Sequence, residues 1–303
     1  MNKQAFIIGS PRSGTTILEN ILGCHPKIAD WYEPYYIWER YLSADESDVL
    51  KIKTNRPKYA KSIQKEYRIF GQKSKREYVL DKLPTHVFNI QLIYQIFPDA
   101  KYIHIIRDGR DVTLSIRKEW QKREVIVANK EYFRLFYVAW KMLARQQFLS
   151  YRLKALIFEL KSIASVNPKK YLNKSRWKGQ IGWGPRFEGW QDFLKTHTTL
   201  EFNAMQWVKC VEAARTSWSI LPVENRLEIR YEDLVTFPEK TVEKVFRLLN
   251  IEATNDFWSA IPEIKRGNFN KWKHEFNSRE IDEIKPILNP LLIQLGYVKD
   301  EDW

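Results

Sequence analysis

The 303-residue sequence holds only two cysteines, Cys24 and Cys210, and their separation suits neither a metal-binding set nor a disulfide framework. A reduced, cytoplasmic setting is expected. No apolar run approaches the roughly 20 residues needed to cross a bilayer, so no transmembrane segment is expected. The first apolar stretch, residues 5–8, is broken at once by Gly9-Ser10-Pro11-Arg12. It is too short for a signal peptide and reads as a first β-strand. Internal repeats and low-complexity tracts are missing as well. What remains is a globular chain, and 44% hydrophobic with 29% charged residues is a globular composition.

Positive charge is present in excess: 50 Lys and Arg against 37 Asp and Glu, a net charge of +13. Such an excess draws polyanions of any kind. Nucleic acid, an anionic membrane and a multiply phosphorylated cofactor all qualify, and charge alone does not choose among them. The aromatic content is also high, and most of these rings are expected in the core.

Four β-type runs stand out, at residues 5–8, 78–80, 101–106 and 226–230. Each is followed by a turn and then a helix-like stretch. Residues 15–23 put Ile17, Leu18, Ile21 and Leu22 on one helical face. Asp108 suits the N-cap of a helix running on through Leu114 and Ile116. Phe237-Pro238-Glu239 opens another, with Val242, Val245, Phe246 and Leu249 inward. Alternating β and α predicts an α/β fold, a parallel sheet with helices on both faces. Between about 119 and 225 the β-signal fades, with helical patterns at 132–160 and 202–220 around a long loop at 166–190. The expectation is one domain over 1–303 with a helical insertion.

Between the first strand and the first helix lies Gly9-Ser10-Pro11-Arg12-Ser13-Gly14-Thr15-Thr16. Glycines let the backbone turn its N–H groups inward, and the helix N-terminus adds positive potential. The hydroxyls of Ser13, Thr15 and Thr16 and the guanidinium of Arg12 suit phosphate oxygens. Gly9 and Gly14 have the separation of a kinase-type P-loop, but its lysine position holds Thr15, which argues against ATP or GTP phosphoryl transfer.

Pro-Arg-Ser-Gly-Thr-Thr resembles the 5′-phosphosulfate loop of the PAPS-dependent sulfotransferase superfamily (PAPS, 3′-phosphoadenosine 5′-phosphosulfate). Its arginine form is similar to the bacterial, carbohydrate and protein-tyrosine members. The segment 107–115, Arg-Asp-Gly-Arg-Asp-Val-Thr-Leu-Ser, resembles the 3′-phosphate motif. There the resemblance implies that Arg107 and Ser115 hold the 3′-phosphate. Tyr231-Glu232-Asp233-Leu234 is similar to an element whose tyrosine lies by the adenine. Lys265-Arg266-Gly267 looks like the late basic loop that closes over the 3′-phosphate, and Leu295-Gly296-Tyr297 resembles the terminal helix of tyrosine and bacterial carbohydrate sulfotransferases. The resemblance touches residues 5–42, 78–118 and 226–297 and does not reach 119–225.

It implies PAPS as co-substrate, adenosine 3′,5′-bisphosphate as product, and in-line sulfuryl transfer to a hydroxyl or amine with no metal required. Glu33, following a second strand, is similar to the catalytic glutamate of the tyrosine-sulfating relatives. Its aromatic neighbours Trp31, Tyr32, Tyr35 and Tyr36 favour the partial desolvation that makes a carboxylate a better base. Lys82 and Arg12 are the cations expected at the leaving 5′-phosphate. His86 is the alternative base, whereas His25 and His104 read as structural. Trp177, Trp183, Trp190 and Trp207 are candidates for stacking on an acceptor, a carbohydrate being the class expected, with core packing an equal account of Trp207. A nucleotide kinase and a nucleic-acid-binding protein are the competing classes. A loop closed into a strand–helix junction does not suit a polymer track, so no nucleic-acid partner is expected.

Overall fold

A computed structural model describes residues 2–38, 47–50, 56–128, 145, 147–164, 183–300 and 303. Its centre is a five-stranded sheet of β1 (Lys3–Ile8), β2 (Ile28–Tyr32), β3 (Tyr78–Lys82), β4 (Lys101–Ile106) and β5 (Arg226–Arg230). The strand order is β2-β3-β1-β4-β5, and every pairing is parallel. The four expected strands and the second strand before Glu33 are all present, and the α/β reading holds.

Side chains alternate across the sheet with the two-residue period of a strand. Phe6 and Ile8 of β1, Val79 of β3 and Tyr102 of β4 enter one core. Ala5, Ile7, Tyr78, Leu80, Ile103 and Ile105 enter the opposite one. The first core is covered by α2 (Tyr35–Trp38), α3 (Arg56–Ser74), α4 (Ile90–Ile96) and α6 (Leu149–Ala164). The second is covered by α1 (Thr15–Gly23), α9 (Tyr231–Thr236), α10 (Pro238–Leu249) and α11 (Asn255–Ala260). As expected, α10 opens at Pro238 and buries Val242, Val245, Phe246 and Leu249.

A third core lies beyond β4. It joins α5 (Gly109–Ala128), α7 (Trp190–Thr196), α8 (Thr199–Trp218), α12 (Trp272–Glu275) and α13 (Ser278–Gln294). Trp207 of α8 donates to the Arg107 carbonyl at 3.2 Å, and its indole lies where a side chain on Gly109 would be, 2.6 Å from a Cβ built there. Trp190 and Trp207 are both fully buried in this core. They are packing residues, a correction to their candidacy as acceptor platforms. The reason is that α8 packs on α5 with α7 against α8, which encloses both rings in this core. Trp177 and most of the loop expected at 166–190 lie outside the described residues, as does 132–144 of the expected helical stretch.

One buried ion pair had no signal in the sequence. Asp48 accepts from the Arg186 backbone N–H at 2.7 Å and from its guanidinium at 2.9 Å, and both side chains are 3% exposed. Asn89 closes the knot, accepting from the Leu50 N–H at 2.7 Å and donating to the carbonyls of Asp48 and Thr85. Removing one partner strands a buried charge, which typically costs about 3–5 kcal/mol. Asp48→Asn is therefore expected to lower the unfolding free energy by about that much in urea titrations. A loss within the scatter of surface substitutions would show the pair to be solvated.

Candidate functional site

Because all strands run one way, all five C-terminal ends lie along one edge, and each delivers a candidate residue there. The 9–14 loop follows β1, Glu33 follows β2, Lys82 ends β3, Arg107 follows β4 and Tyr231 follows β5. The chain leaves β1 towards β2 on one side, while β4 leads towards β5 on the other, so the strand order reverses beside β1. In open α/β sheets such a reversal leaves a crevice at the strand ends.

The 9–14 loop is wound tightly. Ser13 N–H donates to the Ser10 carbonyl at 3.2 Å, and Gly14, at φ +93°, is the N-cap of α1 without any side-chain cap. Two features suit this loop to an anion. Among the described residues, the N-cap Gly14 offers the first turn of α1 no side-chain acceptor, and the Ser13 hydroxyl is buried without a hydrogen-bond partner. A Cβ on Gly14 would lie only 2.4 Å from a Tyr231 ring carbon, so glycine is required by contact as well as by φ. Thr15 is buried and Thr16 is exposed.

Arg12, at φ +66°, turns its side chain outward. Its Nε donates to Ser115 Oγ at 2.8 Å, and its guanidinium lies 3.8 Å from Glu119 and 5.9 Å from the Trp183 ring centre. The first and second anion motifs thus meet directly, through Arg12 and Ser115. Arg107 ties the loops together from beneath. It donates to the carbonyls of Arg12 at 3.1 Å and Asn268 at 3.0 Å, and its guanidinium stacks 4.2 Å from the Tyr231 ring centre. Tyr231 is itself buried, with its hydroxyl on Asn268. Asp111 holds the segment that follows Gly267, accepting from the N–H groups of Asn270 at 2.6 Å and Trp272 at 3.1 Å. Lys265, Arg266 and Gly267 are exposed just before it, adjoining Asn268.

On the other side of β1, the register pairs Tyr32 with Lys82 and leaves Glu33 one residue beyond. The Lys82 ammonium, 2% exposed, donates to Glu33 Oε1 and lies 3.5 Å from Glu19 Oε2 on α1. Burial alone would lower the Lys82 pKa, but Glu33 and Glu19 outweigh it and hold the pKa above the ordinary lysine value. Glu33 sits at φ +38°, an uncommon conformation for a residue with a side chain.

His86 is placed differently. It is 1% exposed, with Nε2 2.9 Å from Asp81 Oδ2 and its ring wedged between Phe6 and Trp38. The same oxygen accepts from Trp38 Nε1 at 2.9 Å and from the Tyr67 hydroxyl. His25 contacts the Glu252 carbonyl, and His104 lies within β4 against Glu228 of β5. All three histidines belong to the body of the fold.

A sequence profile described as the sulfotransferase family matches residues 4–159, just over half of the chain. The chain belongs to the sulfotransferase family. Among curated proteins, an uncharacterised Aquifex aeolicus protein is 32% identical over 36% of this chain and 16% of its own length. The omega-hydroxy-beta-dihydromenaquinone-9 sulfotransferase of Mycobacterium tuberculosis is 24% identical over 34% of this chain and 41% of its own length. The chain thus matches less than half of either relative. Among solved structures, the sulfotransferase domain from the curacin biosynthetic pathway superposes with a TM-score of 0.50 at 16% identity, over 98% of this chain and 99% of that one. A sulfotransferase from Alicyclobacillus acidocaldarius gives 0.52 at 14% identity, over 98% and 95%. These likenesses establish a shared fold. No helix among the described residues is long and apolar enough to cross a membrane.

The carboxylates behind Lys82 are what motif reading missed. Glu19 is fully buried, and burial pushes its carboxyl well above the usual range against the pull of Lys82. Asp30 of β2 is pushed up to about 6, chiefly by burial, with Arg145 and Lys82 opposing. The one signal was position: Glu19 lies at the flank of the apolar stripe of α1, beside Thr15 and Leu22. An acid with a raised native pKa favours the folded state below its unfolded pKa, here 3.8, and that contribution is lost as pH rises through 6. Asp30→Asn is expected to flatten the fall in thermal midpoint between those two pH values. An unchanged slope would assign the titration to another group.

Proposed function

We propose that the protein transfers the sulfuryl group of PAPS to a hydroxyl or amine acceptor, releasing adenosine 3′,5′-bisphosphate. The observation that carries this reading is the Glu33–Lys82 pair one strand away from the 9–14 cradle, with Glu19 of α1 linking the two. Glu33 accepts the acceptor's proton as the acceptor oxygen or nitrogen forms its bond to sulfur. The bond from sulfur to the 5′-phosphate oxygen breaks at the same time, and its electron pair leaves with the phosphate. Lys82 and Arg12 meet that growing negative charge. An ammonium has three N–H donors, and two carboxylates flank Lys82 in the structure, so one donor remains for the bridging oxygen.

The cradle supports the donor assignment: a buried unpartnered Ser13 hydroxyl and uncapped first-turn amides fit a phosphosulfate anion. Thr15 and Thr16 add hydroxyls there. Arg107, with Ser115, is assigned to the 3′-phosphate, Tyr231 to the adenine side, and Lys265, Arg266 and Gly267 to a loop over the same phosphate. Glu33 is preferred to His86 as the base because an acceptor cannot reach a ring packed between Phe6 and Trp38. A carbohydrate hydroxyl is the acceptor class to test first. Lipid alcohols belong in the same screen, because the mycobacterial relative is named for a hydroxylated menaquinone.

Glu33→Gln keeps the shape and removes the basic oxygen, so turnover should fall by about 10²–10⁴-fold while bisphosphate affinity stays level. A larger loss from His86→Ala, measured on folded protein, would reassign the base. Arg107→Ala should weaken adenosine 3′,5′-bisphosphate by about 1.5–3 kcal/mol and leave adenosine 5′-phosphate nearly unaffected in calorimetry. Equal losses for both nucleotides would show that Arg107 acts only by tying the loops.

A further inference from the structure

The positive charge of the chain is not confined to the donor site. Helix α3 buries Tyr59, Ile63, Tyr67 and Phe70 against the sheet. Lys58, Lys61, Lys65 and Arg68 recur three and four residues apart on its opposite face, and all four are exposed. None of the four is paired with a carboxylate among the described residues. The single acid of α3, Glu66, is bound to Lys154 at 2.8 Å.

Alongside runs α6. Lys73 donates to Ser150 and Lys154 to Glu66, which fixes the two helices side by side and antiparallel. Tyr151 is the inward anchor of α6, against Phe70 and Trp31. Leu149, Leu153, Leu156 and Ile157 lie on the opposite face, with Leu149 71% and Ile157 51% exposed. These four make up almost half of the large exposed apolar side chains among the described residues. A cationic stripe and an aliphatic stripe therefore share one outward layer.

We infer that the outer face formed by α3 and α6 docks the protein on an anionic lipid surface, through the Lys58–Lys61–Lys65–Arg68 stripe and the Leu149–Leu153–Leu156–Ile157 stripe. Apolar side chains on a surface helix gain by entering the acyl boundary, while neighbouring cations pair with anionic headgroups. A nucleic acid would use the cations and leave four aliphatic side chains in water. A purely apolar protein partner would leave the cations unpaired. An anionic bilayer satisfies both stripes at once. The helices lie along the surface and do not span it, in keeping with their composition. The site lies close by: Arg145, four residues before Leu149, stacks 4.0 Å from the Tyr32 ring centre next to Glu33. Docking through α6 therefore brings the rim of the candidate site to the headgroup level.

The test is flotation of the full chain with vesicles of phosphatidylcholine alone and of phosphatidylcholine with one third phosphatidylglycerol. Partitioning should be at least about ten-fold stronger on the anionic vesicles and should weaken with salt. Each cation near such a surface contributes about five-fold, so Lys61→Gln/Lys65→Gln/Arg68→Gln should lose on the order of 100-fold. Leu153→Gln/Ile157→Gln should lose at least about ten-fold on the same vesicles. Both variants should keep the thermal midpoint and the affinity for adenosine 3′,5′-bisphosphate, so the result stands apart from the donor assignment. No partitioning, or equal partitioning on both vesicle types, overturns the inference. So does a leucine variant that still binds vesicles while the lysine variant loses single-stranded DNA, which marks a polyanion groove. A leucine variant that only converts a dimer to a monomer in sedimentation marks a self-association face and overturns it too.

Discussion

A parallel sheet covered on both faces has no side on which to display polar chemistry, so that chemistry is pushed to the strand ends. Here the constraint is tight, because side chains from β1, β3 and β4 alternate between two closed cores. Every strand must then deliver what the site needs within one or two residues of its last hydrogen bond. Arg107 and Tyr231 follow their strands directly, Lys82 is a strand's last residue, and Glu33 begins where β2 stops. The site is assembled by topology before any side-chain contact is considered.

Contacts then decide how those groups are charged. A buried ammonium is costly unless carboxylates accompany it. Lys82 is held between Glu33 and Glu19, which keeps it protonated in spite of its burial. The same cation moderates the cost of enclosing Glu19 and Asp30, whose carboxyls burial pushes up. Glu33 is more exposed than Lys82 or Glu19, with 13% of its side chain open against 2% and 0%.

Backbone strain is concentrated in the same place. Of five non-glycine residues with positive φ among the described residues, two are Arg12 and Glu33. Such conformations cost about 1–3 kcal/mol each and persist where the surroundings over-determine them. Arg107 grips the Arg12 carbonyl, and Lys82 with the following Pro34 restrains Glu33. Tyr231 beneath Gly14 and Asn268 beneath Arg107 complete the brace, so the loops after β1, β4 and β5 behave as one clamped unit.

The sheet, the helices after β1, β4 and β5, and the family-like motif of the 9–16 segment were legible in the sequence. They rest on local rules: alternation in strands, 3.6-residue periodicity, Pro238 at a helix start, glycines beside hydroxyls. The family resemblance rested on the same contiguous stretches. What sequence did not contain was anything that depends on two distant segments meeting. Asp48 against Arg186, Glu19 beneath Lys82, and Asp111 on the 270–272 backbone have no local pattern, because each partner is set by how helices settle on the sheet. The fates of His86 and Trp207 were decided the same way. A histidine two residues after Pro84 and a tryptophan on a polar-looking helix are ambiguous alone. Burial against Asp81 and against Gly109 resolves them, since only the packed structure determines which side chains water can reach.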